Sequence, residues 1–521
     1  MDFTTFINWL NGIVWSPALV CLLLGGGLYF SIRTRFVQLR MMHEMVRLIF
    51  QPKDDDLGIS SFQALSMTLA GRVGTGNIAG VATAIMFGGP GALFWMWVVA
   101  ILGAASAFVE STLGQVYKEE IYHQFRGGPA YYIEKGLNNK VFAWIFALFT
   151  IFSCGLFLPS IQSNSIALSA QMAFGIEPLI TAVVITSLLS FIIYGGLKRM
   201  ATFVSWVVPF MAQAYVVVAI IIIFVHWERF DDVLALIFTS AFDMEAAGGA
   251  MIGLAIQWGV KRGLYSNEAG QGSGPHASSA AAVSHPAKQG LVQAFSVYID
   301  TLLVCSATGF MILMTGCYNV VSPEGGFLYQ ALPNVEAGPA FTQFAADSLL
   351  PGFGAPFVSV ALFFFAFTTI LAYVYITETN VVYINRHFKK PWLIPVLRVL
   401  VMIPTAYGAV KSAELVWTMG DIGMGIMAWM NMFAILALQG VAFKCLKDYE
   451  AQRKQGIKNP VFHPEKLGIK NAHFWTANRA EMAEADAQRE SEVICENQRP
   501  RNLSTKKRSG PNPERFLILL D

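Results

Sequence analysis

Charged side chains are scarce in this sequence. Lys, Arg, Asp and Glu make up 13% of its 521 residues, whereas a soluble globular protein carries roughly 25%. Hydrophobic residues make up 55%, in long apolar runs separated by short charged loops. This composition excludes a soluble globular body, because too little polar surface is available to cover one. Runs of about 18 or more apolar residues indicate transmembrane helices instead.

Other features are missing as well. No basic cluster interrupts the apolar part, so we expect no nucleic-acid partner. The N-terminal MDFTTFINWL lacks the basic region of a cleavable signal peptide, so we expect the first apolar segment to remain as a helix. The cysteines lack metal-ligand spacing, and most of them lie inside apolar runs as small hydrophobes: Cys21, Cys154, Cys305, Cys317, Cys445 and Cys495.

The apolar runs predict an all-α polytopic membrane protein with eleven transmembrane helices. The predicted spans are residues 14–32, 60–87, 91–116, 141–171, 178–196, 202–225, 241–262, 290–317, 352–384, 392–410 and 416–444. An odd number of spans places the two termini on opposite sides of the membrane.

Loop Lys and Arg residues predict the orientation, because they are retained on the cytoplasmic side. The opposite loops contain only Arg229 and Lys411, and the loop 318–351 has neither residue type. We therefore predict a bacterial inner-membrane protein with its N-terminus outside and its C-terminus cytoplasmic. The loops assigned to the cytoplasm contain Arg33, Arg35, Arg40, Arg47, Lys53, Lys118, Arg126, Lys135, Lys140, Lys198, Arg199, Lys261, Arg262, Lys288, Arg386, Lys389 and Lys390.

The composition changes near the C-terminus and predicts two regions. Residues 1–446 form the transmembrane domain. Residues 447–521 form a polar cytoplasmic tail, with AEMAEADAQRESE as a possible helix and a disordered end.

Glycine and polar residues interrupt the second span in LAGRVGTGNIAG. Gly76 and Gly80 have the spacing of close helix packing, which is one explanation. Thr75, Asn77 and the preceding Arg72 are not explained by packing. Glycine with polar residues at mid-depth indicates a helix that unwinds, exposing carbonyls to a cation and amides to a carboxylate.

The seventh span repeats this pattern in AAGGAMIGLAIQWGVKRG, which includes Gly248, Gly259 and Gly263. It continues into LYSNEAGQGSGP, with Asn267 and Glu268. Two glycine-interrupted helices five spans apart indicate a five-plus-five inverted repeat with a midplane site. The first span lies outside this core.

Polar residues in two further spans are candidate ligands. The hydroxyls of Thr368 and Thr369 in the ninth span either bond to carbonyls of their own helix or bind a hard cation such as Na⁺. In the fourth span, Gln162 and Asn164 point about 200° apart on a helix and cannot both face one site. One could orient a substrate while the other joins helices.

Ionisable residues within the spans require partners, because an unpaired charge in the membrane is unfavourable. Structural ion pairs and ion or proton relays are both consistent with the sequence, and we assign no role to any of them. These residues are Arg72, Glu110, Asp300, Glu378, Arg398 and Asp421.

Several motifs resemble the alanine or glycine:cation symporter family, the sodium:alanine symporters. The strongest is VGTGNIAGVATAI followed by GGPGALFWMWVVAILG, residues 73–103. RGGPAYYIEKGL, QSNS, WGVKRGLYSNEAGQGS, HPAKQGLV and IDTLLVC also match, and the resemblance covers roughly residues 1–460. It implies the leucine-transporter-type fold with one extra N-terminal helix. It also implies cotransport of a small neutral amino acid with Na⁺, and no cofactor besides this coupling ion.

The resemblance also implies site residues. The unwound turn of the second span would consist of Gly74, Thr75, Gly76 and Asn77, whose backbone would bind the substrate carboxylate. The seventh span would break near Gly259 to Gly263, with Tyr265 beside the substrate. Tyr373 replaces a tryptophan of many members, and Tyr265 stands where phenylalanine is frequent, so alanine, glycine, serine and D-amino acids all remain candidates. Substrate contacts would come from Gly74, Thr75, Gly76, Asn77, Gln162, Gly263, Tyr265, Thr369 and Tyr373.

Sodium would bind between the second and ninth spans, to the carbonyls of Ala70 and Val73 and the hydroxyls of Thr368 and Thr369. A proton carried by Asp300 or Glu378 is the alternative coupling ion. A membrane enzyme using His276 and His285 lacks a nucleophile–base–orienter set. A passive channel would require a continuous polar stripe, which fits the two interrupted helices less well than a transporter does.

Overall fold

The computed structural model describes residues 3–53, 57–242, 249–349 and 351–477. The predicted tail helix, Cys495 and Gly248 lie outside these residues. The first part contains α1 (Phe3–Val14), α2 (Pro17–Arg33), α3 (Val37–Arg40), α4 (Met42–Ile49), α5 (Ser61–Arg72), α6 (Val81–Gly88), α7 (Gly91–Val116), α8 (Pro129–Leu137), α9 (Lys140–Phe152), α10 (Leu158–Phe174), α11 (Pro178–Ile193), α12 (Gly196–Val225) and α13 (Phe230–Phe242).

The second part contains α14 (Ala250–Asn267), α15 (Gly274–Ala280), α16 (Pro286–Val297), α17 (Ser306–Thr315), α18 (Pro339–Leu349), α19 (Gly354–Phe388), α20 (Leu393–Val410), α21 (Ala413–Lys454) and α22 (His473–Ala477). Three wider, π-helical turns are inserted between helices: π1 (Gly76–Gly80), π2 (Ser153–Phe157) and π3 (Tyr298–Cys305). Short 3₁₀ turns lie at Trp227–Arg229 and Glu465–Leu467.

Two short antiparallel hairpins connect helices. Strands β1 (Glu119–Ile121) and β2 (Gln124–Arg126) pair with Glu119 opposite Arg126. Strands β3 (Asn319–Val321) and β4 (Phe327–Gln330) pair with Asn319 opposite Gln330.

Among the described residues, eight helical segments are long and apolar enough to cross a membrane. They are Thr4–Arg33, Gly91–Val116, Lys140–Phe174, Gly196–Val225, Pro286–Thr315, Gly354–Phe388, Leu393–Val410 and Ala413–Lys454. Of the remaining predicted spans, the second and fifth coincide with the α5–π1–α6 segment and α11. The described part of the seventh overlaps the end of α13 and most of α14, and its residues 243–248 lie outside the described residues. The chain is a predominantly helical, multi-pass membrane protein, and the count of eleven spans stays a prediction.

The second span is interrupted, as predicted. Helix α5 begins with a capping box between Ser60 and Gln63 and ends at Arg72. Val73 then leaves helical geometry with ψ 86°, and π1 begins at Gly76. We call residues 73–75, which link α5 to π1, the first break, although Thr75 already has helical φ and ψ. The predicted unwound turn extended to Asn77, which is wrong, because Gly76 and Asn77 are already wound into π1.

The seventh span breaks later than predicted. Helix α14 runs unbroken past Gly259 and Gly263 to Asn267. A Cβ on Gly259 would lie 2.6 Å from Ala92 O, and one on Gly263 would lie 2.4 Å from Val99 Cγ1. These glycines therefore allow α14 to pack closely against α7.

The chain unwinds over residues 268–273, which we call the second break. Glu268, Gly270 and Gly272 adopt positive φ values of 53°, 86° and 92°, which helical residues avoid. Helix α15 then begins at Gly274.

The chain beyond α21 folds back onto the helical body. Phe462 N donates to Ser284 O at 3.0 Å, and Trp475 Nε1 donates to Gln115 O at 3.0 Å. Met1–Trp475 forms one compact unit. Residues 455–475 therefore pack with the helices.

Candidate functional site

The first break lies against Gln162 of α10. Thr75 N donates to Gln162 Oε1 at 3.0 Å. A Cβ on Gly74 would lie 3.1 Å from Gln162 Oε1 and 2.4 Å from Thr369 Oγ1. Only glycine leaves room at position 74, and the structure brings Gly74, Thr75, Gln162 and Thr369 together.

Asn77 connects the first break to π3 through hydrogen bonds. Its Oδ1 accepts from Gly74 N at 2.8 Å, and its Nδ2 donates to Asp300 Oδ1 at 2.6 Å. The Asn77 side chain is thus satisfied within the protein, and it holds the backbone of Gly74 in place.

Tyr265 lies beside the first break, one turn before the second break. A Cβ on Gly76 would lie 3.0 Å from Tyr265 Cδ1, and Gln162 Nε2 approaches Tyr265 OH at 3.4 Å. The Tyr265 ring lies 5.1 Å from that of Trp417. Gly263, predicted to line the same site, instead packs on α7 as described above.

Tyr373 faces the second break. Its hydroxyl donates to Glu268 Oε1 at 2.9 Å, and Ser273 Oγ donates to Glu268 Oε2 at 2.6 Å. A cavity of about 10 Å³ lies beside Glu268 and is also lined by Gly71, Gly274 and Ala372. This volume holds roughly one water-sized sphere.

The predicted sodium ligands are only partly brought together. Thr369 Oγ1 lies 2.7 Å from Ala70 O and 2.9 Å from Phe365 O. Thr368 Oγ1 instead bonds to Phe364 O at 2.9 Å in its own helix, the alternative that the sequence left open. Ala70 O and Thr369 Oγ1 thus meet between α5 and α19, and Val73 is the first residue after α5.

One polar atom of the first break has no partner. Thr75 Oγ1 is buried and makes no hydrogen bond. Leaving a buried hydroxyl unsatisfied costs about 1–3 kcal/mol. The hydroxyl is therefore available to a ligand that enters beside Gln162.

Residues on two other helices hold the second break. Gly272 N donates to Glu110 Oε2 at 3.1 Å, while Asn431 Nδ2 donates to Glu110 Oε2 at 2.8 Å and to Gly270 O at 2.9 Å. The sequence singled out Glu110 as a buried acid without assigning it a role. Asn431 was missed, and a lone amide in an apolar run was its only signal.

Buried ion pairs form where the sequence predicted partners for Glu378, Arg398 and Asp421. Glu378 pairs with Arg126 at 2.7 Å and Arg398 at 2.9 Å. Asp421 pairs with Arg262 at 2.9 Å and Lys261 at 2.7 Å.

Asp300 differs from these acids. Within the described part of the chain, no Lys, Arg or His nitrogen lies within 4.0 Å of it. Its carboxylate accepts instead from Asn77, from Ser266 Oγ at 2.8 Å and from Thr301 Oγ1 at 2.7 Å. Asp300 is fully buried.

The other polar candidates have structural contacts. Asn164 Nδ2 donates to Gly408 O at 3.0 Å and Lys411 O at 2.8 Å, away from Gln162. His276 contacts Asn380 Nδ2 at 2.8 Å, whereas His285 contacts Asp448 at 3.2 Å. The two histidines therefore make hydrogen-bond contacts with different residues.

Residues 1–464 match the model described as the sodium:alanine symporter family. The carrier protein YrbD of Bacillus subtilis (strain 168) is 57% identical, covering 90% of this chain and 97% of that protein. The sodium/proton-dependent alanine carrier protein of Bacillus sp. (strain PS3) is 50% identical over 83% of this chain and 97% of its own length.

More distant proteins also match. The sodium/alanine symporter AgcS of Methanococcus maripaludis is 36% identical, covering 88% of this chain and 100% of that protein. A solved manganese transporter from Eremococcus coleocola is 13% identical, with a TM-score of 0.43, covering 76% of this chain and 88% of that one. On the family match and the identities to its relatives, this chain belongs to the sodium:alanine symporter family and is a membrane transporter, not an enzyme.

Proposed function

We propose that this chain is a secondary active symporter that couples Na⁺ entry to the uptake of alanine, glycine or both by alternating access. The observation that carries the proposal is the meeting of the first break, Gln162, Tyr265 and Thr369 at one buried point. Names of relatives support the substrate and ion, since they include a sodium/proton-dependent alanine carrier and a sodium/alanine symporter.

The same proposal includes the membrane arrangement. The chain would cross the bacterial inner membrane eleven times, with its N-terminus outside and its C-terminus inside. The ten helices after the first would form two inverted halves. Support comes from the interrupted α5–π1–α6 and α14–α15 segments, which lie five predicted spans apart.

Gln162 would exchange places with the substrate carboxylate. Its side-chain oxygen accepts from Thr75 N, as a carboxylate oxygen would. A bound amino acid would take that hydrogen bond and the unpartnered Thr75 hydroxyl. Tyr265 and Tyr373 would bound the side-chain pocket, whose small size would exclude larger substrates by overlap.

Sodium would bind where α5 ends against α19. The carbonyls of Ala70 and Val73 and the hydroxyl of Thr369 would supply oxygen ligands, which a hard cation prefers. Thr368 would join them only if its hydroxyl turned away from Phe364 O. Because the ion would bind Val73, which belongs to the first break, and Thr369, which lies against Gly74, Na⁺ and substrate would tighten each other's binding reciprocally.

Proton coupling is a second candidate, and the structure favours Asp300 over Glu378 as its carrier. Glu378 is held by two arginines, whereas Asp300 is surrounded by neutral donors. Uptake of labelled alanine by proteoliposomes separates the two ions. Sodium coupling predicts accumulation driven by a Na⁺ gradient at equal pH, and proton coupling predicts accumulation driven by a pH gradient without Na⁺.

A further inference from the structure

A buried polar gap separates Arg72, at the end of α5, from Glu110 on α7. Arg72 Nη1 donates to Gln293 O at 3.0 Å and to the Ser296 hydroxyl, but its Nη2 and Nε have no hydrogen-bond partner. Glu110 Oε2 accepts from Asn431 and Gly272, while Oε1 has no partner. Both side chains are buried, with 1% and 0% exposure. Two buried side chains of opposite charge thus each have at least one polar atom without a hydrogen-bond partner.

Gly274 shows how these unsatisfied atoms are arranged. A Cβ on Gly274 would lie 3.2 Å from Arg72 Nη2, 3.7 Å from Glu110 Oε1 and 3.8 Å from Ser111 Oγ. The Ser111 hydroxyl is also buried without a partner. Nη2 and Oε1 are therefore at most 6.9 Å apart, the sum of the first two distances, and they lie beyond the 4.0 Å limit of a direct ion pair. One molecule with two hydrogen bonds of about 2.9 Å spans a separation of up to about 5.8 Å, which lies within this range.

We propose that Arg72, Glu110 and Ser111 bind one water molecule over Gly274. The water accepts from Arg72 Nη2, donates to Glu110 Oε1 and bonds to the Ser111 hydroxyl. The guanidinium disfavours a cation here, and the carboxylate disfavours an anion, whereas a neutral molecule that both donates and accepts satisfies all three atoms.

This water would join the ends of both interrupted helices to α7. Arg72 is the last residue before the first break, and Glu110 accepts from Gly272 within the second break. If α5 moves relative to α7 during transport, the water-mediated ion pair must open and close again. This role rests on the proposed function, whereas the presence of the water does not.

An experimental structure of the full chain, at a resolution that shows ordered waters, tests the inference. We expect density within hydrogen-bond distance of both Arg72 Nη2 and Glu110 Oε1, and loss of that density in Gly274→Ala, whose methyl group narrows the gap. Gly80→Ala is the matched control, since its Cβ would meet nothing closer than 4.0 Å, and it should keep the density.

The structure of the unsubstituted protein tests the presence of the water even if Gly274→Ala fails to fold. A dry gap, or direct contact between Arg72 and Glu110, would overturn the inference. Density that persists in a folded Gly274→Ala protein would also overturn the assigned position. Failure of sodium-driven uptake in a protein that shows the water would count against the proposed function alone.

Discussion

Thr369 Oγ1 lies 2.7 Å from the carbonyl oxygen of Ala70 and joins the middle of α19 to the last turn of α5. The next residue of α19 toward its N-terminus, Thr368, bonds within its own helix. Both hydroxyls also contact Phe365 O in α19, but only that of Thr369 connects two helices beside the first break.

Thr369→Ala should therefore weaken sodium dependence before it disturbs folding. Loss of one oxygen ligand should raise the half-saturating Na⁺ concentration about tenfold, equivalent to about 1.4 kcal/mol. The measurement is alanine uptake against Na⁺ concentration. Thr368→Ala is the matched control and should shift the value much less. An unchanged half-saturating concentration in Thr369→Ala would show that the sodium assignment is wrong.

Gln162→Ala should impair substrate binding. The change removes the side-chain amide beside Tyr265, which would orient the bound substrate once the hydrogen bond to Thr75 N is released, so we expect the KM for alanine to rise about tenfold or more. Asn164→Ala, two residues away, removes contacts to Gly408 and Lys411. It should lower thermal stability with little change in KM. Equal effects of the two substitutions on KM would argue against a substrate role for Gln162.

Asp300→Asn distinguishes the coupling ions. The amide keeps most of the hydrogen-bonding shape but cannot carry the proton. If Na⁺ alone drives transport, the variant should retain uptake driven by a Na⁺ gradient and show no gain or loss with a pH gradient. If a proton is coupled through Asp300, the response to a pH gradient disappears in the variant. Glu378→Gln, which breaks two ion pairs, should act mainly on stability.

Trp475→Ala should loosen residues 455–475 from the helical body. Trp475 is 4% exposed, and its ring lies 5.0 Å from Lys118 Nζ and 5.2 Å from the Phe462 ring. Truncating a buried tryptophan costs about 3–5 kcal/mol, so proteolysis of this segment should become faster. Trp392→Ala is the control, because Trp392 is 57% exposed. Equal protease sensitivity of the two variants would contradict the packing described here.

Sequence patterns predicted the first break well, because glycine and polar residues occur there together. They misplaced the second break, since the glycines of α14 serve packing against Ala92 and Val99. Unwinding depends instead on positive φ values at Glu268, Gly270 and Gly272. A left-handed glutamate is not evident from residue type, so a glycine pattern alone could not locate this break.

The hydrogen-bond partners of individual side chains were also only partly predictable from the sequence. The helical period of 3.6 residues per turn predicted that Gln162 and Asn164 point in different directions, and the structure confirms that they have different partners. The difference between Thr368 and Thr369 depends on side-chain rotamers and on the approach of α5, neither of which is written in a single sequence. The hydrogen bonds that Glu110 and Asn431 make with the second break depend on how α7 and α21 pack, which is not evident from the sequence.

Counterflow of labelled alanine in proteoliposomes tests the central claim most directly. Proteoliposomes that contain the purified full chain are loaded with unlabelled alanine. Uptake of labelled alanine is then followed with and without Na⁺, with glycine, serine and D-alanine as competitors. The account predicts Na⁺-dependent accumulation that small neutral amino acids inhibit. Accumulation that is equal with and without Na⁺, or no alanine exchange by a correctly folded protein, would contradict it.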